Sequence, residues 1–168
     1  MVLKIARSLA LLCCAALLVS ACSGVSSGGR TYSSVPTKRI ALTEVQIAAS
    51  VKPDSVDGLI AKYAAVYDVP ESLIRRIIVR ESGYNARARN GPYYGLMQIS
   101  YATAQSMGYR GPASGLLDAD TNLKYGVKYL AGAYLVAGNN ADGAVRNYSS
   151  GFYYDAKRQG LLEEVGLR

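Results

Sequence analysis

A single all-α domain over residues 54–168 is the fold class that the sequence predicts. Apolar residues recur at steps of three and four along most of this stretch, which is the spacing of one helix face. No segment shows the alternation of a half-buried strand, and the sequence contains no internal repeat. The chain has 168 residues, of which 50% are hydrophobic and 18% charged, so it suits one domain with its own core.

The first two predicted helices lie on either side of Pro70. Apolar residues of the range 56–67 fall on one face, and Ser55 or Asp54 can cap the start of this helix. Pro70 ends the first helix but suits the entrance of the next, where a missing N–H leaves no hydrogen bond unmade. The second helix is predicted from about residue 71 to 82, because it carries an apolar stripe and Gly83 can adopt the left-handed conformation of a helix end.

Four further helical segments are predicted after a loop at residues 83–94. They run over about 96–106, 121–136, 142–148 and 155–165. Asp118 or Asp120 can cap the long helix, whose apolar residues share one face, and Gly138 marks its end. The predicted domain is therefore helical throughout.

Residues 1–21 have the pattern of an export signal. Lys4 and Arg7 precede an apolar run at residues 9–19, and small residues lie just before Cys22. The sequence Val-Ser-Ala-Cys at residues 19–22 resembles the bacterial lipobox, which implies cleavage before Cys22 and a lipid on its thiol. A plain signal peptide with a cysteine nearby by chance is the alternative.

A lipid on Cys22 predicts a lipoprotein of the cell envelope that faces the periplasm. Ser23 favours sorting to the outer membrane, again by resemblance to the rule for such proteins. Residues 22–53 are predicted to be a flexible tether, since residues 23–36 are rich in Ser and Gly and have almost nothing to bury. Within it, residues 40–51 could either dock on the domain as a short helix or remain part of the tether.

The composition excludes histidine-based and cysteine-based chemistry from the domain. The chain has no histidine, and its three cysteines all fall in the first 22 residues. We therefore expect no Ser-His or Cys-His nucleophile pair, no metal site and no cofactor. Residues 54–168 carry 13 basic and 11 acidic side chains, a net charge of only +2, which argues against nucleic-acid binding.

Glu81 is a carboxylate at a position that the periodicity predicts to be partly buried. It lies four residues after Ile77 and three after Ile78, so it extends the apolar stripe of the second helix. Burial and the helix dipole would both raise its pKa, which leaves a proton for general acid catalysis. Arg80 is adjacent but lies about 100° around the helix. An exposed residue at a fraying helix end is the alternative on periodicity alone.

Three short motifs occur in a specific order from Glu81 onward. They are Glu81-Ser82, then Gly95-Leu96-Met97-Gln98, then Asn147-Tyr148-Ser149. This order resembles that of the soluble-lytic-transglycosylase family, and Ala102-Thr103, Asp118 and Asn122 are supporting matches. The resemblance covers about residues 55–155 and implies a goose-type, lysozyme-like helical domain.

The resemblance implies cleavage of the β-1,4 bond between N-acetylmuramic acid and N-acetylglucosamine in peptidoglycan. Glu81 would act as general acid on the glycosidic oxygen and then as base toward the 6-hydroxyl of the muramic residue, which gives a 1,6-anhydro end. An intramolecular nucleophile of this kind needs no second carboxylate. The implied partners are glycan strands and, through Cys22, a membrane, whereas no feature of the sequence identifies a protein partner.

The same resemblance implies six substrate-binding residues, which are Ser82, Gly95, Met97, Gln98, Tyr148 and Ser149. Gln98 suits an acetamido group, and Gly95 would permit close approach of the backbone at the cleft. Tyr148 would hydrogen-bond Glu81 and orient it. Met97 would line the cleft, with a core methionine as the alternative.

Two other groups of side chains are candidates for contact with a glycan. Arg87 and Arg89 of the predicted loop could meet the carboxylates of the lactyl group or the stem peptide. Several tyrosines could stack on sugar faces, namely Tyr84, Tyr93, Tyr94, Tyr101, Tyr153 and Tyr154.

Ser149 departs from the family pattern, in which an asparagine follows the tyrosine. A hydroxyl can replace one hydrogen bond of an amide but not two, so the change affects sugar binding more than catalysis. Two other functions therefore stay open. One is a muramidase on the same fold that admits water, and the other is an inactive lipoprotein that binds peptidoglycan.

Overall fold

In the computed structural model, the described residues are 52–167, so the predicted export signal, the lipidated Cys22 and the ambiguous residues 40–51 lie outside them. The described residues form α1 (Val56–Tyr67), α2 (Glu71–Ser82), α3 (Tyr101–Ser106), α4 (Ala119–Val136), α5 (Ala141–Ser150) and α6 (Tyr153–Gln159). A 3₁₀ helix at Ala113–Leu117 and the short strands β1 (Arg89–Asn90), β2 (Tyr93–Tyr94) and β3 (Ile99–Ser100) complete them. None of the described helices is both long and apolar enough to cross a membrane.

The ends of α1 and α2 follow the capping chemistry of the sequence. The Ser55 hydroxyl accepts a hydrogen bond of 3.1 Å from the Gly58 N–H at the start of α1. Helix α2 starts directly after Pro70 and ends at Gly83, which has a φ of 56° and donates its N–H to the Ile78 carbonyl. The predicted bounds of both helices are confirmed, and Glu81 consequently lies in the last turn of α2.

Helix α4 is the centre of the main hydrophobic core. Its residues Leu123, Val127 and Leu130 are fully buried, and its most extensive helix contacts are with α1 and α5. Ile74 and Ile77 of α2 belong to the same core. The all-α fold class is confirmed, because the amphipathic faces that the periodicity identifies are the faces that pack together.

The structure differs from the predicted elements between residues 89 and 100. Strands β1, β2 and β3 form a small antiparallel sheet, where the sequence predicted a loop and the beginning of a helix. Strands of two residues are too short to show an alternating pattern, so periodicity could not reveal them. The helix predicted over 96–106 begins only at Tyr101, since Ser100 caps it by accepting from the Thr103 N–H.

Two further differences lie toward the C-terminal part of the domain. The 3₁₀ helix at Ala113–Leu117 was not predicted. The helix predicted over 155–165 runs instead from Tyr153 to Gln159, because Gly160 adopts a left-handed φ of 76° and ends it.

Asn122 holds three separate segments together inside the domain. It is fully buried, and its Oδ1 accepts a hydrogen bond of 2.9 Å from the Met97 N–H. Its Nδ2 donates to the carbonyls of Tyr94 at 2.8 Å and Leu116 at 2.7 Å. One amide therefore fixes strand β2, the turn at 95–98 and the 3₁₀ helix on α4. Its hydrogen bonds satisfy backbone groups that are buried away from water.

We predict that Asn122→Ala lowers the free energy of unfolding by about 3 kcal/mol or more, because it removes three hydrogen bonds from buried backbone groups. Asn122→Asp should be similarly harmful, since a carboxylate of the same shape cannot donate to two carbonyls. Urea unfolding followed by circular dichroism measures both. The matched control is Asn85→Ala, which removes one hydrogen bond at an exposed site and should cost less than about 1 kcal/mol. Equal effects of the alanine variants at positions 122 and 85 would contradict the assigned role.

Candidate active site

A cleft of about 280 Å³ opens beside the carboxyl group of Glu81. The C-terminal ends of α2 and α5 and the hairpin of β1 and β2 form its walls, together with the side chain of Gln98. Its lining residues are Arg80, Glu81, Asn90, Tyr93, Gln98, Tyr148 and Ser149. Folding thus brings members of all three sequence motifs to one cleft, although they are up to 68 positions apart in the chain.

Glu81 is partly removed from water in this cleft. Its side chain is only 24% exposed, and burial raises the pKa of its carboxyl group, while the positive charge of Arg80 acts in the opposite direction. Its place in the last turn of α2 adds the unfavourable interaction of a negative charge with the helix dipole. The net direction is upward, so protonation persists to higher pH than for a solvated glutamate.

Arg80 is closer to Glu81 than the helix geometry indicated. Its Nε lies 3.7 Å from Glu81 Oε1, so the expectation that it would point away is wrong. The long side chain of arginine bends back along the helix surface, and the angle between neighbouring Cβ positions does not limit its reach. The contact is too long for a hydrogen bond and acts through charge alone.

Tyr148 lies beneath the cleft with its hydroxyl group buried. That hydroxyl donates a hydrogen bond of 2.9 Å to the Met97 carbonyl, so the predicted hydrogen bond from Tyr148 to Glu81 is not formed. The reason is that a phenol has one proton, and the buried carbonyl takes it. Burial is the largest cause that raises the pKa of Tyr148, and the negative charge of Glu81 raises it further. Tyr148 therefore stays neutral, and its oxygen can only accept hydrogen bonds from other partners.

Gln98 reaches the cleft from a strained backbone conformation. Its φ is 47°, in the left-handed region that residues other than glycine seldom adopt. Its Nε2 donates to the carbonyls of Ala88 at 3.1 Å and Gly95 at 2.8 Å. Both amide hydrogens are therefore used within the protein, and only the Oε1 acceptor remains for a ligand, rather than the two donors and one acceptor that the sequence indicated.

Ser149, Asn90 and Tyr93 form the solvent-facing side of the cleft. The Ser149 hydroxyl lies within hydrogen-bonding distance of the carbonyls of Val145 and Arg146 in its own helix, so its proton is occupied there. Tyr93, which the sequence grouped with five other tyrosines, is 47% exposed. Asn90 was missed, because no pattern distinguishes it from other polar residues of the 83–94 segment.

Three of the predicted substrate-binding residues lie outside the cleft lining. Met97 is fully buried in the core, where its sulfur would meet a Cβ placed on Gly126 at 2.7 Å. Gly95 has a φ of 71° and does permit a close approach, but to Asn122 of the core, whose Nδ2 would lie 2.3 Å from a Cβ at position 95. Both residues thus support the core and lie outside the cleft lining, where the sequence predicted them, and their contact with substrate stays a prediction.

Ser82 is the third of these residues. Its hydroxyl is within 2.7 Å of the Leu96 carbonyl, to which it donates. The bond ties the end of α2 to the turn at 95–98. Ser82 therefore positions Glu81 through the backbone and does not face a ligand.

Arg89 does not face the cleft either. Its guanidinium lies 5.0 Å from the centre of the Tyr94 ring and donates to the hydroxyl of the same residue at 3.3 Å. Arg87 is exposed and also lies outside the lining. The carboxylate-binding role that the sequence indicated for these two arginines therefore has no support from their positions.

A larger cavity of about 670 Å³ lies elsewhere on the domain. The end of α1, the middle of α4 and the C-terminal residues 163–166 line it, and none of the three motifs contributes to it. The cleft at Glu81 is therefore the better candidate, since it combines a carboxyl group of raised pKa with polar groups that converge on it.

Comparisons with known proteins match the part of the chain that holds this cleft. Residues 58–162 match the family model described as the transglycosylase SLT domain. The soluble lytic murein transglycosylases of Escherichia coli strains K12 and O157:H7 are each 31% identical over 107 residues, which is 59% of this chain and 16% of theirs. The crystal structure of the 70 kDa soluble lytic transglycosylase of E. coli matches 65% of this chain and 18% of its own, with a TM-score of 0.55 and 26% identity.

The structural match confirms the lysozyme-like fold that the motifs implied. The chain spans less than a fifth of the length of the curated relatives it matches. The likeness therefore concerns one domain of those larger proteins, and it is the domain that holds the cleft.

We predict that Glu81→Gln stabilises the fold near neutral pH. Because the native pKa of Glu81 lies above its ordinary value of 4.5, the native state binds this proton more tightly than the unfolded chain does. The resulting stabilisation is complete below that ordinary value and is lost as the pH rises through the native pKa. The free energy of unfolding of the variant should exceed that of the wild type by at least a few tenths of a kcal/mol at neutral pH, and this difference should disappear below pH 4.5. Urea unfolding at neutral pH and well below pH 4.5 measures both.

Glu71→Gln is the matched control at the other end of the same helix. A negative charge at a helix N-terminus is favourable, so this variant should lower the stability at neutral pH by roughly 0.3–1 kcal/mol. Opposite signs for the two variants are the expected result. If both variants were less stable than the wild type at neutral pH, the charge of Glu81 would not be unfavourable in the native state.

Proposed function

The chain belongs to the transglycosylase SLT domain family, and on this basis we propose that it is a peptidoglycan lytic transglycosylase. Its proposed reaction cleaves the β-1,4 bond between N-acetylmuramic acid and N-acetylglucosamine and leaves a 1,6-anhydromuramic end. One observation of the site carries the proposal. Glu81 has a raised pKa and is the only carboxylate among the described residues that line the cleft.

A single carboxylate in the cleft supports a mechanism in which the substrate supplies the nucleophile. Enzymes that activate water and enzymes that form a covalent intermediate both use two carboxylates on opposite sides of the bond. When the substrate supplies its own nucleophile, one group can serve as acid and then as base. The 6-hydroxyl of the muramic residue is such a nucleophile, already attached to the sugar that it attacks.

Glu81 supplies both proton transfers in the proposed reaction. Its protonated carboxyl group gives a proton to the glycosidic oxygen as the bond from that oxygen to C1 breaks. The resulting carboxylate takes the proton of the 6-hydroxyl as O6 forms a bond to C1 of the same sugar. Glu81 is returned to its protonated form, and no water is consumed.

Tyr148 and Gln98 support these steps in different ways. Because the Tyr148 proton is held by the Met97 carbonyl, its oxygen can accept a hydrogen bond from protonated Glu81 but can give none to the carboxylate. That asymmetry favours the acid form before the first step. The Oε1 atom of Gln98 is left to accept the N–H of an acetamido group, which would orient the sugar.

We predict that Glu81→Gln lowers turnover of purified peptidoglycan roughly 10³-fold or more, because the amide can neither donate an acidic proton nor accept one. Binding to sacculi should be retained, since the amide keeps the shape of the side chain. Mass spectrometry of the wild-type digest should show fragments with 1,6-anhydro ends, one water lighter than hydrolysed ends. Glu71→Gln, on the exposed first turn of the same helix, should keep full activity.

The products separate the proposal from its two rivals. Reducing ends in place of anhydro ends would identify a muramidase that admits water. Binding without any product from the wild-type protein would identify a peptidoglycan-binding protein. Undiminished cleavage by Glu81→Gln would remove Glu81 from the mechanism.

We also propose that the protein acts in the cell envelope, where its substrate lies, and that a lipid on Cys22 holds it at a membrane. The support is the Val-Ser-Ala-Cys sequence at residues 19–22 and the export pattern before it. Ser23 favours the outer membrane. A net charge of +3 over residues 22–53 would add attraction to an anionic membrane surface.

We predict that Cys22→Ser moves most of the protein from the membrane fraction to the soluble fraction, at least about tenfold, because the acyl chains that bury in the bilayer can no longer be attached. Immunoblots of fractionated cells and incorporation of labelled palmitate measure the change. Cys14→Ser is the matched control, since that cysteine lies inside the predicted signal and its loss should alter neither readout. Labelling of Cys22→Ser equal to that of the wild type would exclude lipidation at this position.

A further inference from the structure

Arg80 is a cation of the cleft that forms no hydrogen bond with a carboxylate of the described residues. Its side chain is 53% exposed, and it lines the cleft beside Glu81. Within the part of the chain that the structure describes, its one polar contact is the 3.7 Å approach to Glu81, which is too long for a hydrogen bond. All five N–H donors of its guanidinium are thus available to a ligand.

The other arginines of α2 have carboxylate partners of their own. Arg75 pairs with Asp57 and with Glu71, at 3.1 Å for the latter, and Arg76 pairs with Asp142 at 2.6 Å. These pairs tie α2 to α1 and α5. Arg80 differs in that its nearest carboxylate is the one that must be protonated for the proposed reaction.

Protonation of Glu81 leaves the charge of Arg80 unbalanced. A neutral carboxyl group no longer attracts the guanidinium, and the remaining lining residues, Asn90, Tyr93, Gln98, Tyr148 and Ser149, carry no negative charge at neutral pH. The cleft that is ready for catalysis is therefore positive. Guanidinium groups recognise carboxylates through two parallel hydrogen bonds, so an anionic group of the substrate is the natural partner.

We propose that Arg80 is a specificity-determining residue that binds a carboxylate of the stem peptide carried by the muramic residue next to the cleaved bond. The proposal rests on the proposed function for its substrate, because peptidoglycan is a glycan with peptides attached to every second sugar. It assigns to Arg80 the contact that the sequence indicated for Arg87 and Arg89, neither of which lines the cleft.

Binding of a substrate carboxylate would also act on the proton of Glu81. Arg80 opposes protonation of Glu81 in the free protein, and a carboxylate that draws the guanidinium away removes this opposition. The other titratable groups that line the cleft are Tyr93 of the hairpin and Tyr148 of α5, and burial raises the pKa of Tyr148 well above its ordinary value. Substrate binding and proton uptake are therefore coupled through one side chain.

The test compares two forms of one substrate, namely soluble glycan strands with intact stem peptides and the same strands after amidation of the peptide carboxylates. Binding is measured with Glu81→Gln, which prevents cleavage and imitates the protonated glutamate. Amidation should weaken binding roughly fivefold, as expected for a partly exposed bidentate pair. Adding Arg80→Gln should abolish the difference between the two strands.

Arg76→Gln in the same background is the matched control, since it removes an equal charge from the same helix outside the cleft. It should leave the difference between native and amidated strands intact. With active protein, Arg80→Gln should raise KM for native strands more than it lowers kcat, and Arg80→Lys should restore part of the loss.

Equal discrimination between the two strands with and without Arg80 would overturn the proposal, as would an equal loss of binding to both. Because the binding measurement needs no turnover, it is independent of the product analysis. Charge-dependent binding through Arg80 without anhydro products would reject the lytic reaction and keep the carboxylate site. Anhydro products without charge-dependent binding would do the reverse.

Discussion

The backbone of the turn at residues 94–98 is buried, and the need to satisfy its polar groups organises the site. Buried N–H and carbonyl groups are costly without partners, and the pairing of β1, β2 and β3 leaves part of this segment to be satisfied by side chains. These side chains come from three helices. Ser82 donates to the Leu96 carbonyl, Tyr148 donates to the Met97 carbonyl, and Asn122 accepts from the Met97 N–H while donating to the Tyr94 carbonyl. The ends of α2 and α5 are thereby fastened to one turn from opposite directions, which sets the position of Glu81.

This arrangement explains which parts of the site the sequence could predict. The bounds of α1 and α2 followed from periodicity and from Ser55, Pro70 and Gly83, because those signals are local. The order of the motifs indicated correctly that distant segments meet. The order of the motifs does not show which motif residues face a ligand and which support the fold, because that depends on tertiary packing. Met97 and Gly95 were assigned to the cleft because they belong to a motif, whereas Met97 packs in the core against Gly126 and Gly95 closely approaches Asn122.

The positive φ of Gln98 could not be predicted from the local sequence. A stretch of Leu, Met, Gln and Ile favours a helix by propensity, and the sequence prediction began a helix there. Tertiary hydrogen bonds overrule this preference, because the Gln98 side chain closes the turn on the carbonyls of Ala88 and Gly95. A residue other than glycine in this conformation persists only where the surroundings fix it, and such positions are concentrated at functional sites. No pattern in the sequence indicates this conformation of Gln98.

The same division of roles accounts for the departure at Ser149. Residues that hold the turn act on buried backbone groups, and a change there would displace Glu81 itself. Ser149 instead lies on the exposed side of the cleft and bonds only to carbonyls of its own helix. Its replacement of the family's asparagine therefore falls on the side where a sugar would bind and leaves the proton-transfer geometry undisturbed. Arg80 lies on the same accessible side, so under the proposed function Arg80 and Ser149 act on the glycan, whereas the buried turn sets how Glu81 is presented to it.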